Sequence, residues 1–460
     1  MKLMSLFDGS GGFPLAASLC GIEPVYAAEV EPYPIAVTKN RFPKMKHLGD
    51  VSKVKGGEIE PVDIITFGSP CQDMSIAGKR AGLKHTAVGD EETTRSGLFM
   101  EAIRIIKEMR EATNGVYPRY AIWENVPGAF SSNRGEDFRT VLEEFIRIKE
   151  KDAVMPDVPK AGWPYADCYS GNGWSLAYRV FDAQYWGVPQ RRRRIYLVAD
   201  FRGQRAGEIL LKPEGLRRNS AQSGTHGQET ARCAKNSVGT AIGGVDRYNQ
   251  SFLPGLAQTL RASGGGDCIP TVLAPGANAI ETSETVHCYD IGEARLRTPS
   301  EYIEKSPTLR AEAHGNVPYV INKKTLVYDT RGNGGGGTYG GGSENLVAEQ
   351  SFSPIRYIVR RLTPTECARL QGFPDWWGEI PKKDNLTDDE YVFWLNVRNT
   401  YAKINNKTTK EYSKEQMLSW YNKLHSDSSE YKMWGNGIAL PSALYVMQGI
   451  AEVVGVHHSK

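Results

Sequence analysis

Hydrophobic and polar positions follow two different periods along residues 1–200, which predicts a succession of strands and helices. Short runs rich in β-branched and aromatic residues, each ended by turn or polar residues, predict strands at 62–67, 120–123 and 195–199. Between the first two, apolar residues recur at i, i+4, i+7 and i+11 over 98–109, the spacing of an amphipathic helix. Strands that alternate with helices favour a mostly parallel sheet covered by helices, and therefore an α/β fold.

The pattern changes between residues 201 and 355. This segment contains 23 of the 48 glycines, and its short runs of Thr, Val, Leu and Tyr are broken by Gly, Pro and Asn. A Thr-Leu-Arg-Ala unit occurs at 259–262 and again at 308–311. Two copies are too few for a solenoid, so we predict a strand- and loop-rich unit with a duplicated hairpin-like element.

The α/β character returns at about residue 356, and a helical insert rich in Lys, Asn and Tyr interrupts it. Five segments are therefore expected, namely the first part of an α/β domain (1–200), the loop- and strand-rich domain with the internal repeat (201–355), a bracing segment (356–379), the helical insert (380–430) and the return to the α/β domain (431–460).

Composition limits the partners, bound groups and compartment that we expect for the chain. The 460 residues carry a net charge of only +3, so a polyanionic partner would need locally concentrated basic residues. The seven cysteines contain no Cys-x-x-Cys pair, which disfavours both a disulfide framework and a common zinc site. Because there is no apolar run of about 18 residues and no signal-peptide core, we expect a cytoplasmic protein that uses neither a membrane nor a metal.

Small residues follow the first apolar run, at 7–12. Glycines allow a strand-to-helix turn to approach a ligand closely. The dinucleotide spacing G-x-G-x-x-G fails, because Pro14 occupies the place of its last glycine, and this disfavours a nicotinamide or flavin oxidoreductase. Taken alone, the stretch is equally consistent with an ordinary glycine turn.

Two acidic residues stand downstream of this turn. Glu29 ends a predicted second strand, 25–28, at about the distance where a carboxylate can accept hydrogen bonds from ribose hydroxyls. Asp50 is placed to contact an adenine amino group. Each acid, considered separately, is more often a solvated loop residue.

Two further candidates follow predicted strands directly. Cys71 comes after strand 62–67 in a polar turn fixed by Pro70, and Glu124 ends the next strand. Ligand sites of parallel sheets lie at the carboxyl ends of the strands. The alternative for Cys71 is an inert core cysteine, which is the commoner fate of a free thiol.

Four arginines, 191–194, lead into the strand at 195–199. Such a run is often only a solvated basic surface. In an extended segment, however, Arg192 and Arg194 point to the same side. At least one such pair then faces the sheet edge or a buried carboxylate.

Taken together and in this order, these segments resemble the cytosine-C5 DNA methyltransferase family. The resemblance covers 1–200 and 356–455. Six stretches carry it, namely the cofactor turn at 7–12, the nucleophile motif Pro70-Cys71-Gln72, then Glu124-Asn125-Val126, Gln190-x-Arg192-x-Arg194, the bracing element at 361–374, and the last motif at 435–439. The sequence departs from the family pattern at Ser69 and Gly437, and the insert is not typical.

The resemblance implies a Rossmann-like S-adenosylmethionine-dependent methyltransferase domain with a smaller, loop- and strand-rich target-recognition domain. It implies transfer of a methyl group from S-adenosyl-L-methionine to C5 of a flipped-out cytosine in a specific duplex DNA site. Cys71 would form a covalent adduct with cytosine C6. Glu124 would bind the N3 and N4 edge, Arg192 would hold O2, and Arg194 would position Cys71 or Glu124.

The resemblance also implies two binding sets. The cofactor-binding residues are Phe7, Gly9, Gly11, Gly12, Glu29, Val30, Asp50, Val51, Pro70, Leu98, Asn436 and Ile438. The loop 72–95 would close on DNA; the alternative is an ordinary surface connection. The DNA-binding candidates are Gln72, Ser75, Lys79, Arg80, Arg95 and the repeat residues Arg261 and Arg310. Exposed arginines of structural hairpins are an equally good interpretation of the repeats.

The expected partner is double-stranded DNA, bound by a monomer in restriction–modification or phage self-protection, with a cognate restriction endonuclease as a candidate partner. One alternative is an RNA (tRNA) cytosine-C5 methyltransferase built on the same domain, which the large recognition segment disfavours. The other is a catalytically inactive DNA-binding module, which the intact Cys71, Glu124 and Arg192 disfavour.

Overall fold

The computed structural model describes residues 1–69, 97–153, 155, 157–211 and 362–455 in full, and seven short strands between 243 and 361 by their backbone. In the first part of the chain the elements are β1 (Lys2–Leu6), α1 (Gly12–Leu19), β2 (Glu23–Ala28), α2 (Pro32–Arg41), β3 (Lys46–His47), β4 (Ile64–Phe67), α3 (Gly97–Ala112), β5 (Tyr120–Asn125), α4 (Glu136–Arg147), β6 (Ala166–Gly171), β7 (Trp174–Asp182), β8 (Arg193–Asp200) and α5 (Ala206–Leu210).

The remaining elements fall into two groups. The strands are β9 (Gly243–Asp246), β10 (Ser251–Pro254), β11 (Thr271–Pro275), β12 (His287–Tyr289), β13 (Glu301–Ile303), β14 (Tyr319–Ile321) and β15 (Tyr357–Arg361). The helices that follow are α6 (Pro364–Leu370), α7 (Asp388–Ile404), α8 (Lys414–Tyr421), α9 (Asp427–Asn436) and α10 (Leu440–Val454).

An eight-stranded sheet in the order β3-β2-β1-β4-β5-β8-β7-β6 organises the α/β part. The first five strands are parallel to their neighbours, whereas β8, β7 and β6 pair antiparallel. The prediction of a mostly parallel sheet is therefore correct for β3, β2, β1, β4 and β5 and wrong for β8, β7 and β6. The hairpin β6–β7 was not predicted, because strands that pair antiparallel fall outside a strand–helix alternation.

Helices cover both faces of this sheet. The predicted amphipathic stripe is confirmed, since α3 buries Ala102, Ile105 and Met109 against a face shared with α4. On the opposite face α10 packs against α1 and α5, which brings the two ends of the described chain together. The α/β, Rossmann-like class is thus present in the structure.

The seven backbone-described strands form two small antiparallel sheets, β10-β9-β11-β15 and β13-β12-β14. All of β9 to β14 fall within the segment predicted to be strand- and loop-rich. The limits of that domain remain a prediction.

The helical insert contains α7, α8 and the start of α9. Capping boxes begin all three helices, with Thr387, Ser413 and Ser426 as the capping side chains. Within the described residues, no single helix is long and apolar enough to cross a membrane, and α9 and α10, bent by 45° at their junction, pass that test only as a pair.

Candidate active site

Four strands bring their polar ends to one edge of the sheet. β1, β2, β4 and β5 are parallel, so residues that follow them lie at the same edge. β8 runs in the opposite direction, with Ile195 opposite Asn125, and its beginning therefore reaches this edge too. This is why Arg192 and Arg194 lie near Glu124, although 68 and 70 positions separate them in sequence.

Glu124 lies between the two arginines in a buried setting. Its side chain is about one-tenth exposed, and Arg194 Nε is 3.1 Å from its Oε1. Burial raises the pKa of the Glu124 carboxyl, while the charges of Arg194 and Arg192 oppose that rise. Once protonated, a carboxyl can donate a hydrogen bond as well as accept one.

Arg192 connects this carboxyl to the end of the chain. It is 3% exposed, and its Nη2 donates to the backbone carbonyl of Gly437. Burial lowers the pKa of Arg192, and the neighbouring Arg194 acts in the same direction. The Gln-x-Arg-x-Arg segment and the last motif are thereby joined in one buried cluster.

The residues that lead to Cys71 are anchored beside Glu124. Trp123 Nε1 donates to Ser69 Oγ at 3.1 Å, and Asn125 Nδ2 donates to the Ser69 carbonyl at 3.2 Å. A Cβ placed on Gly68 would lie 3.1 Å from Glu124 Oε2. The chain therefore enters the 70–72 motif in contact with the Glu124 strand.

Nine predicted site residues lie outside the described residues, so their placement stays a prediction. They are Pro70, Cys71, Gln72, Ser75, Lys79, Arg80, Arg95, Arg261 and Arg310.

The glycine turn after β1 takes the conformations that a close-approach turn needs. Phe7 has φ 54°, an uncommon value for an aromatic residue, and Gly9 and Gly11 have φ 54° and 76°. A Cβ on Gly12 would lie 2.4 Å from Ile438 Cγ1. The turn thus packs directly on the last motif, and a side chain at 12 would require Ile438 to move.

Glu29 is held at the adjacent strand end by three backbone donors. Its Oε2 accepts from the Gly9 amide at 2.8 Å, and its Oε1 accepts from Val30 and Glu31 at 2.7 and 2.9 Å. These donors lower the pKa of Glu29, while burial, the larger cause, raises it. A carboxylate fixed in this way keeps acceptor capacity for a ligand hydroxyl.

The other predicted cofactor residues are spread around this edge. Asp50 Oδ1 accepts from the Ser52 amide at 2.9 Å and caps the 3-10 turn that contains buried Val51. Leu98, at the start of α3, is half-buried, and Asn436, at the end of α9, is exposed. Next to Asp50, a Cβ on Gly49 would meet no atom within 4 Å, so open space adjoins the pair Glu29 and Asp50.

The sequence analysis gave no site role to Asp8, Ser69, Trp123 or Asn125, although Asp8 and Asn125 lie within the matched motifs. The signal for Ser69 and Trp123 was their position directly before the motifs, at the carboxyl ends of adjacent strands. Asp8 is 8% exposed within the glycine turn. Burial, with repulsion from the Glu29 carboxylate, raises the pKa of Asp8 to about 8.

This pKa predicts a pH-dependent stability. Between about pH 4 and 8 the unfolded chain ionises Asp8 while the folded chain keeps it protonated, so stability falls as pH rises through this window. From pH 5 to pH 8 the free energy of unfolding is expected to fall less in Asp8→Asn than in the wild type. The difference follows from about 1.4 kcal/mol per pH unit and reaches up to a few kcal/mol. Urea unfolding at both pH values measures the difference, and parallel losses in the two proteins would refute it.

Gly437 is required by close packing. A Cβ there would lie 2.8 Å from Ser10 Oγ and 3.2 Å from the Met433 carbonyl, although its φ of −68° suits any residue. Gly437→Ala is therefore expected to destabilise the protein by about 1–3 kcal/mol.

Because the Ser10 hydroxyl causes part of that clash, Ser10→Ala should recover some of the loss. Urea unfolding of the two single variants and the double variant tests this coupling. Strictly additive effects would contradict it.

The described residues contain no group of three or more His, Cys, Asp or Glu that could hold a metal ion.

Comparisons with known proteins identify relatives of this chain. The model of the family described as C-5 cytosine-specific DNA methylase matches residues 1–149 and 167–391. A DNA N-6-adenine-methyltransferase of Escherichia phage P1 is 29% identical, over 98% of this chain and 61% of that protein. The type II methyltransferase M1.ScrFI of Lactococcus lactis subsp. cremoris is 26% identical, over 85% of this chain and 73% of its own length.

Two further matches complete the picture. The type II methyltransferase M.NgoBV of Neisseria gonorrhoeae is 27% identical, over 49% of this chain and 47% of that protein. The crystal structure of the S. pombe Dnmt2 methyltransferase is 14% identical with a TM-score of 0.49, and 99% of each chain is covered.

The chain spans 61% and 47% of the length of the phage P1 and Neisseria relatives. The family model, in contrast, matches most of the chain, including the strand ends that carry Glu29 and Glu124. The family implies an enzyme that uses a methyl donor. This protein belongs to the C-5 cytosine-specific DNA methylase family.

Proposed function

We propose that this protein transfers a methyl group from S-adenosyl-L-methionine to C5 of a flipped-out cytosine in duplex DNA. The observation that carries the proposal is the buried cluster of Glu124, Arg192 and Arg194, which lies beside the strand end that leads to Cys71. A carboxyl and two guanidinium groups are complementary to the polar edge of a cytosine ring.

Cytosine C5 is a poor nucleophile until the aromatic ring is disrupted. The Cys71 thiolate forms a bond to C6, and the electron pair of the C5–C6 double bond becomes available at C5. Nearby guanidinium groups favour the thiolate over the thiol. The donor would supply an electrophilic methyl group to C5, and its S–CH3 bond would break so that sulfur keeps the electron pair in S-adenosyl-L-homocysteine. A base then removes the C5 proton, the double bond re-forms and the thiolate leaves.

Glu124 and the arginines stabilise the charge that this addition creates. The protonated Glu124 carboxyl, favoured by its raised pKa, donates to N3 as electron density builds there. Arg192, held by the Gly437 carbonyl, faces the O2 oxygen. Arg194, whose Nε lies 3.1 Å from Glu124 Oε1, keeps the Glu124 carboxyl in place.

The turn 7–12 and Glu29 fit the adenosyl part of the donor. Glu29 is oriented by three backbone amides, and a Cβ on Gly49 would meet no atom within 4 Å, so the surface beside Gly49 is open to a ligand. Phe7, Gly9, Gly11, Gly12, Val30, Asp50, Val51, Pro70, Leu98, Asn436 and Ile438 complete the proposed site.

The cytosine must leave the helix, at a cost of a few kcal/mol. The loop 72–95, with Gln72, Ser75, Lys79, Arg80 and Arg95, is proposed to close over the DNA backbone. Arg261 and Arg310 are proposed to read bases. We further propose that the monomer acts in restriction–modification or phage self-protection, alone or beside a cognate endonuclease.

Nucleoside mass spectrometry tests the proposal. The protein is incubated with methyl-deuterated S-adenosyl-L-methionine and either plasmid DNA or tRNA, and the nucleosides are then released. Labelled 5-methyldeoxycytidine from the DNA is expected. Labelled 5-methylcytidine from tRNA alone would favour the RNA alternative, labelled N6-methyldeoxyadenosine would contradict the C5 assignment, and no label in either would favour an inactive DNA-binding module. Bisulfite sequencing of plasmid from an expressing host then gives the target site.

A further inference from the structure

A cavity separates the helical insert from the strand ends that carry Glu29 and Asp50. It measures about 430 Å³ with its open mouth included. Glu29, Val30 and Gly49 line it from the sheet, and Asn396 and Thr400 of α7 line it from the insert. One side of this cavity is therefore the Glu29 edge, and the other belongs to a segment outside the family motifs.

The insert is packed firmly at this place. Trp394 and Val397 of α7 are buried in an apolar cluster with Ile35 and Ala36 of α2. Trp394 is only 2% exposed. A helix held by a buried indole has a defined position, so the residues by which α7 lines the cavity have defined positions too.

A second set of contacts joins α7 to β3 and α2. The Phe393 ring meets the His47 ring edge to face, with centroids 6.5 Å apart, and Lys39 Nζ is 4.5 Å from the Phe393 centroid. These contacts fix the helix directly above the strand that leads to Gly49 and Asp50. Asn396, one turn along from Phe393, is thereby held at the cavity.

The polar groups around the cavity suit a nucleoside. Asn396 Oδ1 is 3.4 Å from Thr400 Oγ1, which leaves the two amide N–H donors of Asn396 for a ligand. Opposite them stands the oriented carboxylate of Glu29. Donors on one side and an acceptor on the other match the mixed edges of a purine and a ribose.

We propose that the helical insert completes the methyl-donor site, with Asn396 and Thr400 contacting the adenosine part of the donor. This inference rests on the proposed function, from which it takes its ligand. It assigns a role to a segment that the family resemblance leaves unexplained.

Isothermal titration calorimetry on the full chain tests it, with S-adenosyl-L-methionine and S-adenosyl-L-homocysteine as ligands. The double variant Asn396→Ala/Thr400→Ala is expected to raise Kd by about 5- to 100-fold, the loss of two hydrogen bonds. The factor should be equal for both ligands, because they differ only at the sulfur. Thr400→Trp, which puts a ring into the same side of the cavity, should weaken both further.

Asn399→Ala is the matched control. Asn399 lies on the same helix, but it accepts from Arg398 and does not line the cavity, so its loss should leave Kd unchanged. Wild-type Kd values in Asn396→Ala/Thr400→Ala and Thr400→Trp would overturn the inference and leave the proposed function standing. An equal increase of Kd in Asn399→Ala would mean that the effect comes from helix packing, and this result would also overturn the inference. A wild type that binds neither ligand would contradict the proposed function itself.

Discussion

Cys71→Ser is expected to lower DNA methylation by roughly 10⁴-fold or more, the scale of loss when a catalytic nucleophile is removed. A serine hydroxyl is hardly ionised near neutral pH, whereas a thiol ionises readily where guanidinium groups stabilise the anion, the role proposed here for Arg192 and Arg194. The variant should still bind the methyl donor, since Cys71 follows Ser69 at a strand end other than the one that holds Glu29.

Cys168→Ser is the matched control for this experiment. Cys168 is a free, exposed cysteine on β6, away from the candidate site, and its replacement should leave the rate unchanged. Initial rates of tritiated methyl transfer to plasmid DNA measure both variants. Normal turnover in Cys71→Ser would rule out the covalent assignment.

Glu124→Gln is expected to lower the rate by about 10²- to 10⁴-fold, the contribution of a positioned general acid. The amide keeps the shape of the side chain but cannot transfer a proton to N3. In the wild type the protonated carboxyl is the active form, so the rate should fall as pH rises through the pKa of Glu124, which burial raises. The variant should lack this fall of the rate at alkaline pH, the alkaline limb of the pH profile.

Stability must be measured alongside the rate, because Glu124→Gln leaves Arg192 and Arg194 without their buried counter-charge. Glu60→Gln, which changes an exposed carboxylate paired with Lys2, serves as the control of matched chemistry. An unchanged rate, or an alkaline limb that persists in Glu124→Gln, would remove the proposed role.

Local pattern was sufficient to predict the elements that position Glu124 and the arginines. The strand prediction at 120–123 and the alternation of Arg192 and Arg194 needed only neighbouring residues. That Glu124 meets Arg194 depends on β8 inserting antiparallel beside β5. Pairing between strands 70 positions apart is decided by the whole sheet. Glu124 and Arg194 were therefore predictable as site residues, but their proximity was visible only in the structure.

The insert illustrates the limit of such reasoning. Its helices were predictable from composition, but the surface that receives Trp394 was not. Ile35 and Ala36 lie about 360 positions away in sequence, and nothing in the period of α2 marks them as the partners of α7. Long-range packing of this kind determines which segments share a cavity. The role of Ser69 was hidden for the same reason, since its partners Trp123 and Asn125 belong to another strand.

Trapping on DNA that contains 5-fluorocytosine tests the central claim, the bond between the Cys71 sulfur and cytosine C6. Fluorine replaces the C5 hydrogen, so no proton can be removed after methyl transfer and the thiolate cannot leave. A long duplex made with this analogue throughout presents many sites. With S-adenosyl-L-methionine present, we predict a protein–DNA adduct that survives denaturation and whose linked peptide contains Cys71. A protein that methylates ordinary DNA but yields no adduct, or one linked through another residue, would contradict the account.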